Sequence, residues 1–185
     1  MRVIAGTARR LELKTIQGMD TRPTTDRIKE TVFNMLASDI PQSIFLDLFA
    51  GSGQIGIEAL SRGAKNAYFV EHGREAIKCI KDNLSHTKLV DKGIVMPNDV
   101  MTAIHMLSER KVRFDIIYMD PPYKGGYEQE LLTALGSSTI CDEDTIIILE
   151  AEKRMDIMEF ASNAGFIIVR EKQYKTNKHV FLQRK

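Results

Sequence analysis

At 185 residues, 43% hydrophobic and 28% charged, the chain has the size and composition of one soluble globular domain. No apolar run approaches a membrane span, and the opening residues Met1-Arg2-Val3-Ile4-Ala5-Gly6 lack a signal-peptide layout. The two cysteines, Cys79 and Cys141, make neither a metal spacing nor a disulfide framework, so a cytoplasmic protein without a metal is expected. The formal charge of +1 hides basic ends: residues 1–30 carry +3 and residues 165–185 carry +5, against −7 between them. Two basic arms on an acidic body suit a polyanion, although ordinary solvated surface charge gives the same count.

Arg2 to Thr15 reads as two short strands around Gly6-Thr7-Ala8-Arg9-Arg10, a hairpin. Pro23-Thr24-Thr25-Asp26 is a helix start, and Ile28, Val32, Met35 and Leu36 give a helical apolar stripe to about Ser38. Strands are then predicted at 44–48, 67–71, 93–96, 114–119 and 145–150. Between them lie helical patterns around 54–62, 74–85, 100–109 and 127–136, with another near 155–163. Phe166 to Tyr174 and Lys178 to Gln183 form a closing hairpin around Thr176-Asn177. This alternation predicts an α/β fold: a mainly parallel seven-stranded sheet with helices on both faces and an antiparallel C-terminal hairpin. Residues 1–40 read as an N-terminal hairpin and helix extension on a 41–185 domain, the two forming one compact unit.

Asp47-Leu48-Phe49-Ala50-Gly51-Ser52-Gly53-Gln54-Ile55-Gly56 closes the strand at 44–48 and opens the helix at 54–62. Gly51, Gly53 and Gly56 satisfy G-x-G-x-x-G, whose glycines permit a tight turn and close approach of a ligand. Glu71 follows the next strand, where a carboxylate can bind ribose hydroxyls. That much fits a nicotinamide cofactor as well as an adenosyl one. Asp47 favours the latter, because an anion repels a pyrophosphate but attracts the ammonium group of an amino acid. Asp99, after the strand at 93–96, can accept a bond from an adenine amino group. Singly, each acid reads as a helix cap or a loop end.

Asp120-Pro121-Pro122-Tyr123 follows the apolar run Phe114-Asp115-Ile116-Ile117-Tyr118-Met119. Two prolines end that strand and stiffen the turn. The turn gathers a carboxylate, a free carbonyl and an aromatic ring, which suit gripping a flat base by its amino group and its face. Alone it is also a plain strand-terminating turn. Rival readings are a DNA adenine or other exocyclic-amino methyltransferase, a protein-glutamine methyltransferase, a dinucleotide oxidoreductase and a non-catalytic RNA-binding module. The glutamine enzymes usually carry Asn at the position of Asp120, and nothing in the chain supplies a hydride-handling site.

Together these motifs resemble the class I S-adenosylmethionine-dependent methyltransferases of Rossmann-like fold, and in finer detail the RsmD family of bacterial enzymes. The further matching segments are Ile4-Ala5-Gly6, Arg22-Pro23-Thr24-Thr25-Asp26-Arg27, Glu30-Thr31-Val32-Phe33-Asn34, Glu58-Ala59-Leu60-Ser61-Arg62-Gly63 and Asn83. Departures are Ala8-Arg9-Arg10 and Tyr174-Lys175-Thr176, where the family often has a glycine, and Gly73, where it usually has an acid. The resemblance implies methylation of a guanine N2 amino group in small-subunit (16S) ribosomal RNA, within a ribosomal particle, by a monomer. It implies S-adenosylmethionine held by Asp47, Phe49, Gly51, Ser52, Gly53, Glu71 and Asp99, and a target base held by Asp120, Pro121 and Tyr123. RNA contacts would come from Arg9, Arg10, Lys14, Arg22, Arg27, Lys175 and Lys178, although Arg22 and Arg27 also suit capping and salt-bridging the first helix.

Overall fold

Strand and helix alternate through the computed structural model much as the sequence pattern predicts; the structure describes residues 1–16, 26–122 and 126–185. Arg22, the Pro23-Thr24-Thr25 part of the helix start, and Tyr123 lie outside the described residues. The chain divides into two units, Met1–Asp99 and Val100–Lys185, and the extension drawn at residues 1–40 lies within the first.

The first unit runs α1 (Asp26–Met35), β1 (Ile44–Asp47), α2 (Gln54–Ser61), β2 (Asn66–Val70), α3 (Arg74–His86), a single 3-10 turn and β3 (Gly93–Met96). Its three strands are parallel in the order β3-β2-β1, with Asp47 beside Phe69 and Val70 beside Met96. The chain therefore leaves all three strands at one edge, where open α/β sheets bind ligands.

The second unit runs α4 (Val100–Glu109), β4 (Ile116–Met119), α5 (Tyr127–Ser137), β5 (Ile146–Glu152), α6 (Met158–Asn163), β6 (Phe166–Gln173) and β7 (Asn177–Arg184). Its strands lie in the order β4-β5-β7-β6, with β4 and β5 parallel and β7 antiparallel to both β5 and β6. All four residues of β4 are buried, which is why it reads as an unbroken apolar run. Helix α6 begins later than its pattern suggests because the Asp156 carboxylate accepts the Met158 N–H at 3.0 Å. No described helix is long and apolar enough to cross a membrane.

A buried polar cluster pins β7 to β5 and β4. The Tyr118 hydroxyl donates to Glu150 Oε2 at 2.9 Å and lies 3.1 Å from His179 Nε2. The Tyr174 hydroxyl lies 3.1 Å from His179 Nδ1, and Asn177 Nδ2 donates to Glu150 Oε1. Burial works to raise the Glu150 carboxyl, but hydrogen bonds to His179, Tyr118 and Asn177 hold it below its ordinary value. Burial, with the Glu150 charge beside it, pushes the Tyr174 hydroxyl up to about 12.

The N-terminal arm is a hairpin closed by the single bridge Arg2–Glu12, with Val3 N–H donating to Leu11 O and Arg10 N–H to Val3 O, both at 2.9 Å. Too short to stabilise itself, it is held by α2. Ile4 and Ala5 N–H donate to the two oxygens of Glu58 at 2.8 and 3.0 Å, and Ala8 N–H donates to Ser61 Oγ at 3.0 Å. Gly6, at φ 84°, passes so close that a Cβ would stand 1.7 Å from the Ser61 carbonyl oxygen. Glu58 also accepts from Arg62 Nε at 2.8 Å and pairs with Lys29 Nζ at 3.5 Å, Glu58 and Lys29 both having fully buried side chains. Burial pulls the Lys29 ammonium below its ordinary value, against the raising effect of the Glu58 charge.

Removing the Glu58 carboxylate leaves Lys29 buried without its counter-charge and two part-buried arm amides without their acceptor, so Glu58→Ala is expected to lower unfolding free energy by roughly 3–5 kcal/mol. Denaturant titration of wild type and variant measures this, and a loss under about 1 kcal/mol would show that the arm does not depend on it.

Candidate functional site

At the ligand edge of the first unit, two carboxylates, Glu71 and Asp47, take backbone N–H groups of the surrounding loops. Glu71 Oε2 accepts the Gly51 N–H at 3.0 Å, and its Oε1 accepts from His72 and Gly73 N–H, both at 2.8 Å. Asp47, 1% exposed, accepts from the Gly56 N–H at 3.2 Å and from the backbone of Phe49. Burial pushes the Asp47 carboxyl up to about 7, opposed by those two backbone bonds and assisted by the Glu71 charge. Asp47 thus holds the Gly-rich turn at Phe49 and Gly56, and Glu71 holds it between them at Gly51. Asp99 lies exposed between β3 and α4.

The three glycines divide their work differently from the sequence reading, which gave close ligand approach to the turn as a whole. At Gly51 (φ 53°) a Cβ would meet no described atom within 4 Å, so the open approach is here. At Gly53 (φ 80°) it would lie 3.3 Å from Ile80 Cγ1, against the protein's own side chain. The left-handed backbone and this packing account for Gly53. At Gly56 it would lie 2.4 Å from the Phe69 ring, so that glycine lets α2 sit on β2.

Two residues here escaped assignment from sequence. Asn83, 1% exposed, accepts from Lys14 N–H at 2.9 Å and donates to Lys14 O at 3.1 Å and to Ser52 O at 2.9 Å, fastening the arm to the glycine turn. Gln54, opening α2, has a buried side-chain oxygen with no hydrogen-bond partner among the described residues. A carbonyl oxygen of this kind can accept from a ligand donor. A buried Asn at helical spacing gives some sequence signal; Gln54 gives none.

In the second unit, Asp120 stands half-buried directly after β4, Pro121 is buried and Pro122 exposed. Of the cationic residues expected at RNA, Arg9, Arg10, Arg27 and Lys175 are exposed. Lys14 pairs with Asp82 at 2.9 Å, and each raises the other's charged fraction: the bond lifts the lysine and lowers the aspartate. Lys178 is 7% exposed and pairs with Glu171 at 2.9 Å.

Residues 1–183 match the family described as Conserved hypothetical protein 95. The chain is 38% identical to the Bacillus subtilis (strain 168) protein YlbH over 174 residues, 94% of each chain. It is 34% identical to the Ribosomal RNA small subunit methyltransferase D of Escherichia coli (strain K12) over 152 residues, 82% of this chain and 75% of that protein. The solved structure of the Escherichia coli protein yhhF superposes with a TM-score of 0.84 at 31% identity, covering 100% of this chain and 98% of that one. The fold is that of the Rossmann-like class I methyltransferases.

Because the Asp47 proton is held more tightly in the folded chain, this group's contribution to stability is complete below its ordinary value of 3.8 and is lost as pH rises through about 7. Asp47→Asn should therefore gain stability relative to wild type between those pH values, by on the order of a few kcal/mol, and hold that gain above them. Thermal melts across the range measure it; a difference that does not change with pH would refute the buried-acid assignment.

Proposed function

The chain belongs to the RsmD family, and from that premise we propose that it transfers a methyl group from S-adenosylmethionine to the N2 amino group of a guanine in small-subunit ribosomal RNA. The observation that supports the cofactor is the Gly51 turn, held by Glu71 and Asp47 with open space where a Gly51 side chain would be. A buried acid suits an ammonium group better than a pyrophosphate, and the buried Gln54 oxygen at the start of α2 adds a further acceptor. When bound, adenosylmethionine supplies an electrophilic methyl on a sulfonium. A DNA adenine enzyme shares both motifs, but the relatives named above favour ribosomal RNA.

The amino nitrogen of guanine is a poor nucleophile because its lone pair is delocalised into the ring. Asp120 and the Pro121 carbonyl each accept one amino hydrogen and turn the lone pair outwards. Asp120 also faces the positive charge that develops on nitrogen and takes the proton once the new N–C bond has made it acidic. Tyr123 stacks on the extruded base, a contact worth roughly 1–3 kcal/mol. Arg9, Arg10, Arg22, Arg27 and Lys175 meet flanking phosphates. Lys14 and Lys178 already have carboxylate partners, so their share in RNA contact is smaller. The protein acts as a cytoplasmic monomer on a ribosomal particle.

Tritiated methyl transfer to small subunits from a strain lacking this gene, followed by nucleoside analysis, should yield N2-methylguanosine; labelled adenine in DNA instead would favour the rival. Asp120→Ala should slow transfer by roughly 100-fold or more while leaving adenosylmethionine affinity within a few-fold. A rate near wild type would make that turn a structural one.

Reversing Arg9 and Arg10 to Glu should raise the Michaelis constant for subunits and flatten its salt dependence, since fewer counterions are released. An unchanged constant and slope would mean the arm's charge is ordinary surface.

A further inference from the structure

Glu128 occupies the first turn of α5, is 2% exposed, and has a carboxyl oxygen, Oε1, that finds no hydrogen-bond partner among the described residues. It begins an i, i+3, i+4, i+7 stripe whose other members, Leu131, Leu132 and Leu135, are at most 1% exposed. Packing alone would place a fourth leucine there. The neighbouring polar residues of that turn, Gln129 and Glu130, face solvent as expected. Gly126 precedes the helix without a side-chain cap, so the helix dipole favours an acid in this turn, but it gives no reason to bury one. A buried carboxyl oxygen without a partner is costly, and such exceptions cluster where a ligand supplies the missing group.

The chemistry of a target guanine matches that group. In sequence Glu128 follows Asp120 by eight positions, and it stands in the first turn of α5. Guanine carries an N1–H donor immediately beside its N2 amino group; adenine has a bare acceptor at N1. An oxygen acceptor beside the one that holds the amino group would take the N1–H and repel the adenine edge. Resting on the guanine-N2 reading above, we propose that Glu128 accepts the N1–H of the target guanine and thereby selects guanine over bases that lack that hydrogen.

The test uses two variants and two substrates. Small subunits are prepared with either guanosine or 2-aminopurine riboside at the methylated position; the latter keeps the amino group but has an acceptor at N1. Wild type should prefer guanosine. Glu128→Gln, whose amide can donate to a bare N1, should lower the ratio of the two kcat/KM values by roughly tenfold or more. Glu128→Leu completes the apolar stripe, so it should melt no lower than wild type while kcat/KM on guanosine falls by roughly tenfold or more. An unchanged base ratio in Glu128→Gln overturns the assignment, as does full activity in Glu128→Leu. If Glu128→Leu melts lower, the Glu128→Gln ratio still decides. A wild type that methylates no guanine overturns the underlying reading, and this inference with it; a wild type that does so with an unmoved ratio overturns this inference alone.

Discussion

Glu58 sits in the middle of α2 with no solvent exposure, and its two oxygens take the N–H groups of Ile4 and Ala5, the Arg62 guanidinium and the Lys29 ammonium. Three otherwise separate pieces meet at this carboxylate: the arm, α1 and α2. The arm has one bridge of its own and leaves its outward amides to be satisfied by another element. Lys29 occupies the buried face of α1 and also donates to the Arg2 carbonyl at 2.6 Å, so arm and helix are tied a second time. Arg62 lies over the Phe33 ring at 5.2 Å, bringing the end of α2 onto the same cluster. Because α2 begins at the glycine turn, whatever fixes this helix also fixes the turn.

The turn is secured by the same physics at its other side. Asp47, Glu71 and Asn83 direct their oxygens mainly to backbone N–H groups, converting a glycine-rich loop of high conformational freedom into one defined shape. Asn83 does this while holding the strand of the arm that ends at Lys14, so its amide is shared between the arm and Ser52. Preorganised amides of this kind need little rearrangement when a ligand arrives, which is how a loop can bind tightly without stiffness of its own.

Much of this was legible in the sequence because it follows from period and punctuation. Ile116 to Met119 reads as a buried strand since apolar side chains fill both faces, and Gly51 to Gly56 announces a turn between strand and helix. The α1 stripe was less legible. Ile28, Val32, Met35 and Leu36 suggested one face, but Lys29, Val32, Phe33 and Leu36 are the buried set. A lysine counts as polar in any periodicity, and only its distant partner Glu58 makes its burial tolerable. Lys178 is hidden for the same reason: its residue type says surface, and Glu171 across the β6–β7 pair says otherwise. Pairings between residues far apart in the chain leave no mark on local composition. That is also why the anchoring of the arm, which depends on residues more than fifty positions away, could not be read from the arm itself.

Among the described residues four acids are buried: Asp47, Glu58, Glu128 and Glu150. Comparing them separates scaffolding from binding better than burial or charge does. Glu58 is surrounded by donors from three elements, and Glu150 takes hydrogen bonds from Tyr118 and Asn177 with His179 alongside. Their oxygens are taken by the fold, so their loss unfolds something. Asp47 is intermediate, with backbone bonds that only partly offset its burial and leave its proton near neutrality, a carboxyl that a cation could readily ionise. Glu128 stands at the far end, with an oxygen that no described residue engages. A chain under selection for stability alone would replace such a residue with leucine, since the stripe behind it is already built for one. An acid in an otherwise apolar row is therefore a cost in stability, and costs of that kind collect where a protein meets its substrate.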